Sequence, residues 1–279
     1  GVQTCALPIW SKEAIMNDVA QPSPDDRATL NDGNRMPFIG LGTWGMTGET
    51  CYRAVRESLK IGYRLIDTAP MYRNEEEIGR AIRDSGIGRD EVFITTKVAS
   101  ADMGHDSTLK ACQDSLARLG ADRLDLYLIH WPSGGRNLET WGAMEELRSR
   151  GLVRSIGVSN YTTDLLDELQ RAGAAVPAVN QIEISPFVFD LDLARYCSDK
   201  RIHLEAYSPL TRGNCLQERE VLQIANAYER SSAQIMLRWA LQKGLTAIPK
   251  ASTLDHLREN FNIFDFELYF GDMAKLDAL

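Results

Sequence analysis

The sequence has few cysteines, no long apolar run and no excess of basic residues. Its five cysteines lie far apart in 279 residues and form no Cys-x-x-Cys pair, which argues against a disulfide framework or a zinc site and favours the cytoplasm. No apolar run approaches the roughly 18 residues of a membrane-spanning helix. The formal charge of −8, without a basic run, argues against a nucleic-acid partner. A packed cytoplasmic domain without membrane or nucleic-acid partners is therefore predicted.

Short apolar segments alternate with amphipathic stretches along most of the chain. The predicted strands are 40–44, 64–69, 92–97, 124–130, 153–159, 178–184, 203–208 and 246–250. The predicted helices are 49–61, 75–84, 107–119, 138–150, 163–171, 191–200, 217–241 and 254–261. Eight strand–helix units predict the α/β class and a (β/α)8 TIM barrel of parallel strands. An open doubly wound sheet is disfavoured because no Gly-x-Gly-x-x-Gly stands at a strand–helix junction.

The segment before the first barrel strand divides into three parts. Gly1–Ile9 resembles the translation of a sequencing-adapter oligonucleotide, and we interpret it as an assembly artefact with Met16 as the start. A signal peptide is the alternative, but the segment has no basic lead and its apolar stretch is short. Residues up to 27 then form a polar, disordered leader, and 28–279 form one barrel domain. Within that domain, Thr29–Ile39 carries an Asn-Asp-Gly-Asn turn and predicts a β-hairpin.

Four chemically active side chains lie at or just beyond the ends of predicted strands. Asp67 lies near the end of one strand and is followed five residues later by Tyr72, whereas Lys97 and His130 end the next two strands. A buried lysine or histidine is costly without a partner or a task, although any one of them alone could be a satisfied core residue. Because the carboxyl ends of barrel strands meet at one face, the four side chains are expected to lie together. A metal site is not predicted, since only four histidines exist and no spaced ligand cluster accompanies His130.

The same segments belong to a set of motifs spread from about Leu30 to the last residue. The motifs are Gly40-Leu-Gly-Thr-Trp44, Asp67-Thr-Ala-Pro-Met-Tyr72, Leu124–Pro132, Gly157-Val-Ser-Asn160, Asn180-Gln-Ile-Glu183, Ala206-Tyr-Ser-Pro-Leu210 and Ile248-Pro-Lys250. In this order the chain resembles the aldo-keto reductase family, in particular its compact bacterial members related to 2,5-diketogluconate reductase and methylglyoxal reductase. The resemblance implies a barrel whose amino-terminal end is closed by the hairpin, and a monomer. It also implies a carboxyl-terminal loop that this chain, which ends at Leu279, is expected to lack.

The resemblance assigns a catalytic role to each of the four strand-end residues. Tyr72 would donate a proton to a carbonyl oxygen, and the Lys97 ammonium would lower the pKa of that phenol. Asp67 would hold Lys97 in place. His130 would orient the carbonyl group by a hydrogen bond.

These side chains cannot carry hydride, so a redox cofactor is required. The resemblance assigns cofactor binding to Thr43, Trp44, Ser159, Asn160, Gln181, Tyr207, Ser208, Leu210, Lys250, Ser252, Thr253, His256, Glu259 and Asn260. Tyr207 would stack on a nicotinamide ring, and Lys250 with two hydroxyl side chains would bind the 2′-phosphate of NADPH. His256 stands where many family members have arginine, so NADH is expected as a weaker alternative cofactor.

The resemblance also indicates the substrate class. The carbonyl group would be surrounded by Trp44, Tyr72, His130 and Trp131, which form an apolar mouth with two polar points. This shape suits small aldehydes and ketones such as methylglyoxal, keto-sugars or 2,5-diketogluconate. The alternative function is a non-catalytic NADP(H)-binding regulatory or sensor subunit. The presence of all four chemically active residues favours the enzyme.

Overall fold

The computed structural model describes residues 22–279, so the interpretations of Gly1–Ile9 and Met16 lie outside the described residues. Its strands are β1 Arg27–Thr29, β2 Arg35–Pro37, β3 Leu41–Gly42, β4 Leu65–Asp67, β5 Phe93–Val98, β6 Leu124–Ile129, β7 Val153–Ser159, β8 Val179–Glu183, β9 His203–Tyr207 and β10 Thr246–Ala247. Its α-helices are α1 Gly48–Ile61, α2 Glu75–Ser85, α3 His105–Leu119, α4 Asn137–Ser149, α5 Thr163–Arg171, α6 Leu191–Asp199, α7 Arg219–Ala227, α8 Ser232–Gln242, α9 Leu254–Phe261 and α10 Phe270–Leu276.

Strands β3 to β10 form one parallel sheet in sequence order, and its two edges meet. The Gly40 amide donates to the Ala247 carbonyl at 2.9 Å, and the Gly42 amide donates to the Pro249 carbonyl at 3.1 Å. These bonds pair the first barrel strand with the last, which leaves no free edge there. The predicted parallel (β/α)8 barrel is therefore confirmed.

The predicted hairpin is confirmed as strands β1 and β2, and it lies against the amino-terminal end of the barrel. The Asn34 amide donates to the Ser155 hydroxyl at 3.0 Å, and the Asn31 amide donates to the Pro177 carbonyl at 2.8 Å. Leu30 and Met36 of the hairpin are buried against apolar side chains from the barrel strands. The hairpin thus closes the end of the barrel opposite to the carboxyl ends of the strands.

Two predicted element boundaries need correction. Residues 22–27, predicted as disordered leader, include a turn in which the Asp26 carboxylate accepts from the Ser23 amide at 2.6 Å, and Arg27 already belongs to β1. The predicted helix 217–241 is two helices, α7 and α8. Glu229 between them is left-handed with φ 52°, and Ser231 begins a new helix by a capping box with Gln234.

One helix, α10, has no counterpart in the sequence prediction. It contains seven residues and buries Met273 and Leu276. An apolar pattern of this length is too short to distinguish a helix from a loop.

The barrel interior is apolar at the closed end and polar at the other. Leu65, Phe93, Leu126 and Val179 fill the lower layers together with the hairpin. Above them, towards the carboxyl ends of the strands, several polar side chains are buried: Asp67, Lys97, Gln181 and Glu205. In the part of the chain that the structure describes, no helix is long and apolar enough to cross a membrane.

Candidate active site

An ion pair between β4 and β5 lies at the centre of the polar layer. The Lys97 ammonium is 2.7 Å from each carboxylate oxygen of Asp67 and donates to the Thr68 carbonyl at 2.9 Å. Lys97 is completely buried and Asp67 is nearly so. A charge in this position is retained only with a partner and saturated hydrogen bonds, because desolvation would otherwise neutralise it. Burial lowers the pKa of Lys97, but Asp67, Tyr72 and Glu205 together raise it above its ordinary value.

Tyr72 reaches this ion pair from a 3-10 helix, Pro70–Tyr72, that directly follows β4. Its ring centroid lies 5.3 Å from the Lys97 ammonium. The helix ends at Arg73, which is left-handed with φ 54°. Next to it, the buried Asn74 amide donates to the carbonyls of Thr43 at 3.0 Å and Met46 at 2.9 Å. Asn74 therefore ties the Tyr72 loop to the loop after β3, a role that the sequence prediction did not include.

The surroundings of the Tyr72 phenol change its pKa in both directions. Burial raises the pKa of the phenol, and although Lys97 opposes this, Asp67 and Glu205 add to it, so the pKa lies above the ordinary value. Lys97 lowers the pKa as predicted, but desolvation and two carboxyl groups outweigh this contribution. Consequently, Tyr72 is protonated throughout the neutral pH range and can act as a proton donor.

His130 follows β6 and faces Tyr72. The two rings are 5.8 Å apart at their centroids, with an edge-to-face angle of 79°. Burial, with a further contribution from the Lys97 charge, lowers the pKa of His130 to about 3. Its Nδ1 is buried without a hydrogen-bond partner in residues 22–279. The imidazole is therefore neutral at physiological pH and can donate one hydrogen bond without adding a charge.

A hydrogen-bonded group at the ends of β7, β8 and β9 lies beside these four residues. The Asn160 amide donates to the Ser159 hydroxyl at 3.0 Å and to the His130 carbonyl at 3.2 Å. The Tyr207 hydroxyl donates to the Asn160 amide oxygen at 2.9 Å. The Gln181 amide donates to Asp67 at 2.8 Å. The structure thus joins Gln181 to the ion pair and links Ser159, Asn160 and Tyr207 with the His130 carbonyl.

Backbone strain is concentrated at the same strand ends. Asn160 has φ 62°, Ser208 has φ 48°, Thr211 has φ 50° and Arg212 has φ 55°. Non-glycine residues adopt this left-handed region at a cost, and such residues cluster at ligand sites. Leu210, between Ser208 and Thr211, is half-buried, and its carbonyl accepts from the Gly213 amide at 2.7 Å.

Trp44 lies at the mouth of the barrel between two cations. The Lys250 ammonium is 5.8 Å from its ring centroid, and the Arg212 guanidinium carbon is 5.9 Å from it on the loop after β9. Trp44 is 58% exposed and Trp131 is 50% exposed, so both present apolar surface to solvent. Thr43, in contrast, is buried, and its hydroxyl donates to the Asp67 carbonyl at 2.8 Å. Thr43 therefore supports the strand end rather than opening to the mouth.

The remaining predicted cofactor residues lie around the start of α9. Ser252, Thr253 and His256 are exposed, and Thr253 caps the helix by accepting from the His256 amide at 3.4 Å. Glu259 is half-buried and Asn260 is buried. Lys250 precedes this helix. A cation and hydroxyl groups at a helix amino terminus form a suitable site for a phosphate group.

Glu205 is the polar residue of this layer that the sequence prediction missed. It is completely buried on β9, and one carboxyl oxygen accepts from the Gln181 amide at 2.7 Å. Burial, followed by the Asp67 charge, raises its pKa to about 8. The signal was present, since alternate residues of a strand share one face, and Glu205 lies two residues before Tyr207, which is predicted to face the cofactor. Within residues 22–279, no group of three or more potential ligands is placed to bind a metal ion.

Comparisons with known proteins agree with this arrangement. Residues 38–279 match the Aldo/keto reductase family. A Bacillus subtilis protein named glyoxal reductase is 45% identical over 255 residues, which cover 91% of this chain and 92% of that protein. The crystal structure of an aldo/keto reductase from Brucella melitensis has a TM-score of 0.87 and 44% identity, covering 90% of this chain and 98% of that one. A mutant of Gox0644, crystallised in complex with NADPH, has a TM-score of 0.87 and 39% identity over 90% of this chain and 92% of its own. With the barrel, the buried ion pair and these matches in agreement, the chain belongs to the aldo/keto reductase family.

Proposed function

We propose that this chain reduces small aldehydes and ketones to alcohols with NADPH as the reductant. The observation that carries the proposal is the cluster of a protonated Tyr72, a neutral His130 and the buried Lys97–Asp67 pair at the open end of the barrel. Carbonyl reduction needs one proton at oxygen and one hydride at carbon. The cluster can supply the first, and bound NADPH supplies the second.

Tyr72 is the proposed proton donor to the carbonyl oxygen. As negative charge develops on that oxygen, the phenol transfers its proton, and the Lys97 ammonium stabilises the phenolate that remains. The Asp67 carboxylate, 2.7 Å from the Lys97 ammonium, fixes the position of that ammonium near the Tyr72 ring. His130, being neutral, donates a hydrogen bond that orients the carbonyl group without competing as an acid.

The residues beside the cluster fit a nicotinamide nucleotide. Tyr207 offers a half-buried ring, Asn160 and Gln181 offer amide groups, and the Lys250 region offers a cation and hydroxyl groups. The NADPH complex of the Gox0644 mutant supports this assignment. Lys250 favours NADPH over NADH, whereas the His256 imidazole attracts the 2′-phosphate less than a permanently charged arginine would, so NADH is the weaker alternative cofactor.

We propose methylglyoxal, keto-sugars and 2,5-diketogluconate-type acids as substrates. The glyoxal reductase of Bacillus subtilis supports small dicarbonyls. Trp44 and Trp131 give the mouth two exposed apolar surfaces, and such a site accepts a small carbonyl without demanding a long chain. We further propose that residues 28–279 act as a single-domain monomer in the cytoplasm. The cytoplasmic location is supported by the free cysteines Cys51, Cys112, Cys197 and Cys215.

The decisive experiment follows NADPH absorbance with methylglyoxal, glyceraldehyde and a keto-sugar acid, for the wild type and for Tyr72→Phe. The variant keeps the ring and loses the proton donor. We expect its kcat to fall by about 100- to 10,000-fold, the usual contribution of a positioned acid, with NADPH affinity unchanged.

The control is a titration of both proteins with NADPH, followed by tryptophan fluorescence. Near-normal turnover by Tyr72→Phe would contradict the role of Tyr72. Absence of turnover by the wild type with all three substrates, despite saturable NADPH binding, would contradict the proposed reduction of these compounds.

A further inference from the structure

The buried carboxyl of Glu205 has an incomplete set of hydrogen bonds. Its Oε2 accepts from the Gln181 amide at 2.7 Å, whereas its Oε1 is buried without a partner in residues 22–279. The residue is 0% exposed and lies on β9 between Gln181 of β8 and Thr246 of β10. A buried polar atom without a partner destabilises the fold. A leucine at this position would avoid that cost, so the contact with Gln181 indicates a function other than stability.

Glu205 and Asp67 together occupy both hydrogens of the Gln181 amide. The same nitrogen, Nε2, donates to Asp67 at 2.8 Å and to Glu205 at 2.7 Å. Because both partners are carboxyl oxygens that accept here, the nitrogen must face them. The amide is planar, so its carbonyl oxygen, Oε1, points away from both carboxyl groups and is left to accept a hydrogen bond from a ligand.

The charges around Glu205 explain how two carboxyl groups share this space. Asp67 on β4 and Lys97 on β5 are the charged groups that face it, and Tyr72 is the next ionisable group. One ammonium can balance only one carboxylate, so Glu205 holds its proton while Asp67 pairs with Lys97. A proton on Oε1 would leave Oε2 free to accept from Gln181.

We propose that Glu205 is a positioning residue that acts through Gln181. With Asp67 it fixes the Gln181 amide so that its carbonyl oxygen accepts an N–H of the nicotinamide carboxamide, and it thereby selects cofactors that carry this amide. The inference rests on the proposed binding of NADP(H). It adds a residue that does not touch the cofactor itself.

The test compares NADP+ with its 3-acetylpyridine analogue, in which a methyl group replaces the carboxamide nitrogen. Calorimetry gives both dissociation constants, and their ratio is the selectivity for the amide. Glu205→Met removes the acceptor at similar volume, and Glu205→Gln keeps a neutral acceptor. We expect the selectivity of Glu205→Met to be about fivefold lower than that of the wild type, which is the contribution of one hydrogen bond. The selectivity of Glu205→Gln should stay within about twofold of the wild type.

A double-mutant cycle separates this role from a general structural one. Gln181→Leu removes the amide, and adding Glu205→Met to it is expected to change the selectivity no further, because the two residues act in series. Additive effects, or an unchanged ratio in folded Glu205→Met, would overturn the proposal. If Glu205→Met does not fold, Glu205→Asp, which keeps the acid but is one methylene too short, must show the same loss. Failure of the wild type to bind NADP+ would instead contradict the proposed function.

Discussion

At the scale of single residues, two buried carboxyl groups lie near one ammonium. Lys97 balances Asp67, and Glu205 remains as a buried acid whose pKa burial raises to about 8. The arrangement keeps the polar layer neutral overall and leaves Tyr72 as a protonated donor. Its cost is a coupling between stability and pH that an apolar barrel would not have.

The first prediction concerns this coupling. In the unfolded chain Glu205 loses its proton near its ordinary pKa of 4.5, whereas in the folded protein it does so near 8. The unfolded state therefore binds fewer protons between these values, and the Glu205 contribution to the free energy of unfolding falls as pH rises, by up to about 1.4 kcal/mol per pH unit. Glu205→Gln removes this dependence.

Urea denaturation of both proteins at pH 5, 6, 7 and 8 measures the effect. The stability of Glu205→Gln relative to the wild type should increase with pH across this range. A difference that is constant with pH would show that Glu205 does not hold its proton in the folded protein.

The second prediction concerns cofactor preference. His256→Arg places a permanent charge where the imidazole now stands exposed at the start of α9. We expect the ratio of kcat/KM for NADPH over NADH to rise by about tenfold, as for one added charge-assisted hydrogen bond. His256→Gln, which adds no charge, is the control, and an equal rise in both variants would contradict a charge effect.

The residues of the site differed in how visible they were in the sequence. Asp67, Lys97 and His130 were predictable because ionisable residues at the ends of apolar strands are rare. Glu205 was missed because it lies within a strand rather than at its end, and Asn74 because the two carbonyls that it binds, those of Thr43 and Met46, are distant in sequence. The sign of the Tyr72 pKa shift depends mainly on burial, which a sequence does not display.

At the scale of elements, one pair of neighbouring helices, α2 and α3, approaches closely at a glycine. Gly79 of α2 lies against the end of α3, where a Cβ atom would be 2.0 Å from the Leu119 carbonyl oxygen. Gly142 of α4 is also within a helix, but nothing lies within 4 Å of its Cβ position. Neither glycine has a positive φ. The same substitution should therefore have opposite effects at the two sites.

The third prediction is that Gly142→Ala stabilises the protein by about 0.5–1 kcal/mol, through lower entropy of the unfolded chain and better helix propensity. Gly79→Ala should destabilise it by about 1–3 kcal/mol, because α2 and α3 must separate. Thermal denaturation of both variants measures the difference. Stabilisation by Gly79→Ala would show that the contact between the two helices is not tight.

Periodicity placed most strands and helices within a few residues of their observed ends, including the short helices α5 and α9. It failed at α10, which it did not predict, and at the long predicted helix that is α7 and α8. The break between α7 and α8 was missed, although the Ser231 capping box marks it, because the apolar pattern continues across the gap. Boundaries of this kind depend on local caps rather than on the repeat of apolar residues.

At the scale of the whole molecule, the described residues form one closed barrel with its hairpin. The fourth prediction is that the chain is a monomer of 31.2 kDa by light scattering and that it unfolds in one transition. A dimer mass, or two separate unfolding transitions, would contradict this prediction.

The pairing of the first and last barrel strands has a consequence for biosynthesis. The ribosome releases the chain from its amino end, so β3 emerges early and must wait for residues 246–250 before the bonds from Gly40 and Gly42 can form. Until then the nascent sheet has an open edge, which is the part of a sheet most exposed to wrong pairing. Lys250 belongs to the same segment, so it can lie beside Trp44 only after this pairing has formed. We therefore expect nascent chains that end before Lys250 to be unable to retain NADPH. Binding of the cofactor would then report that the barrel has closed.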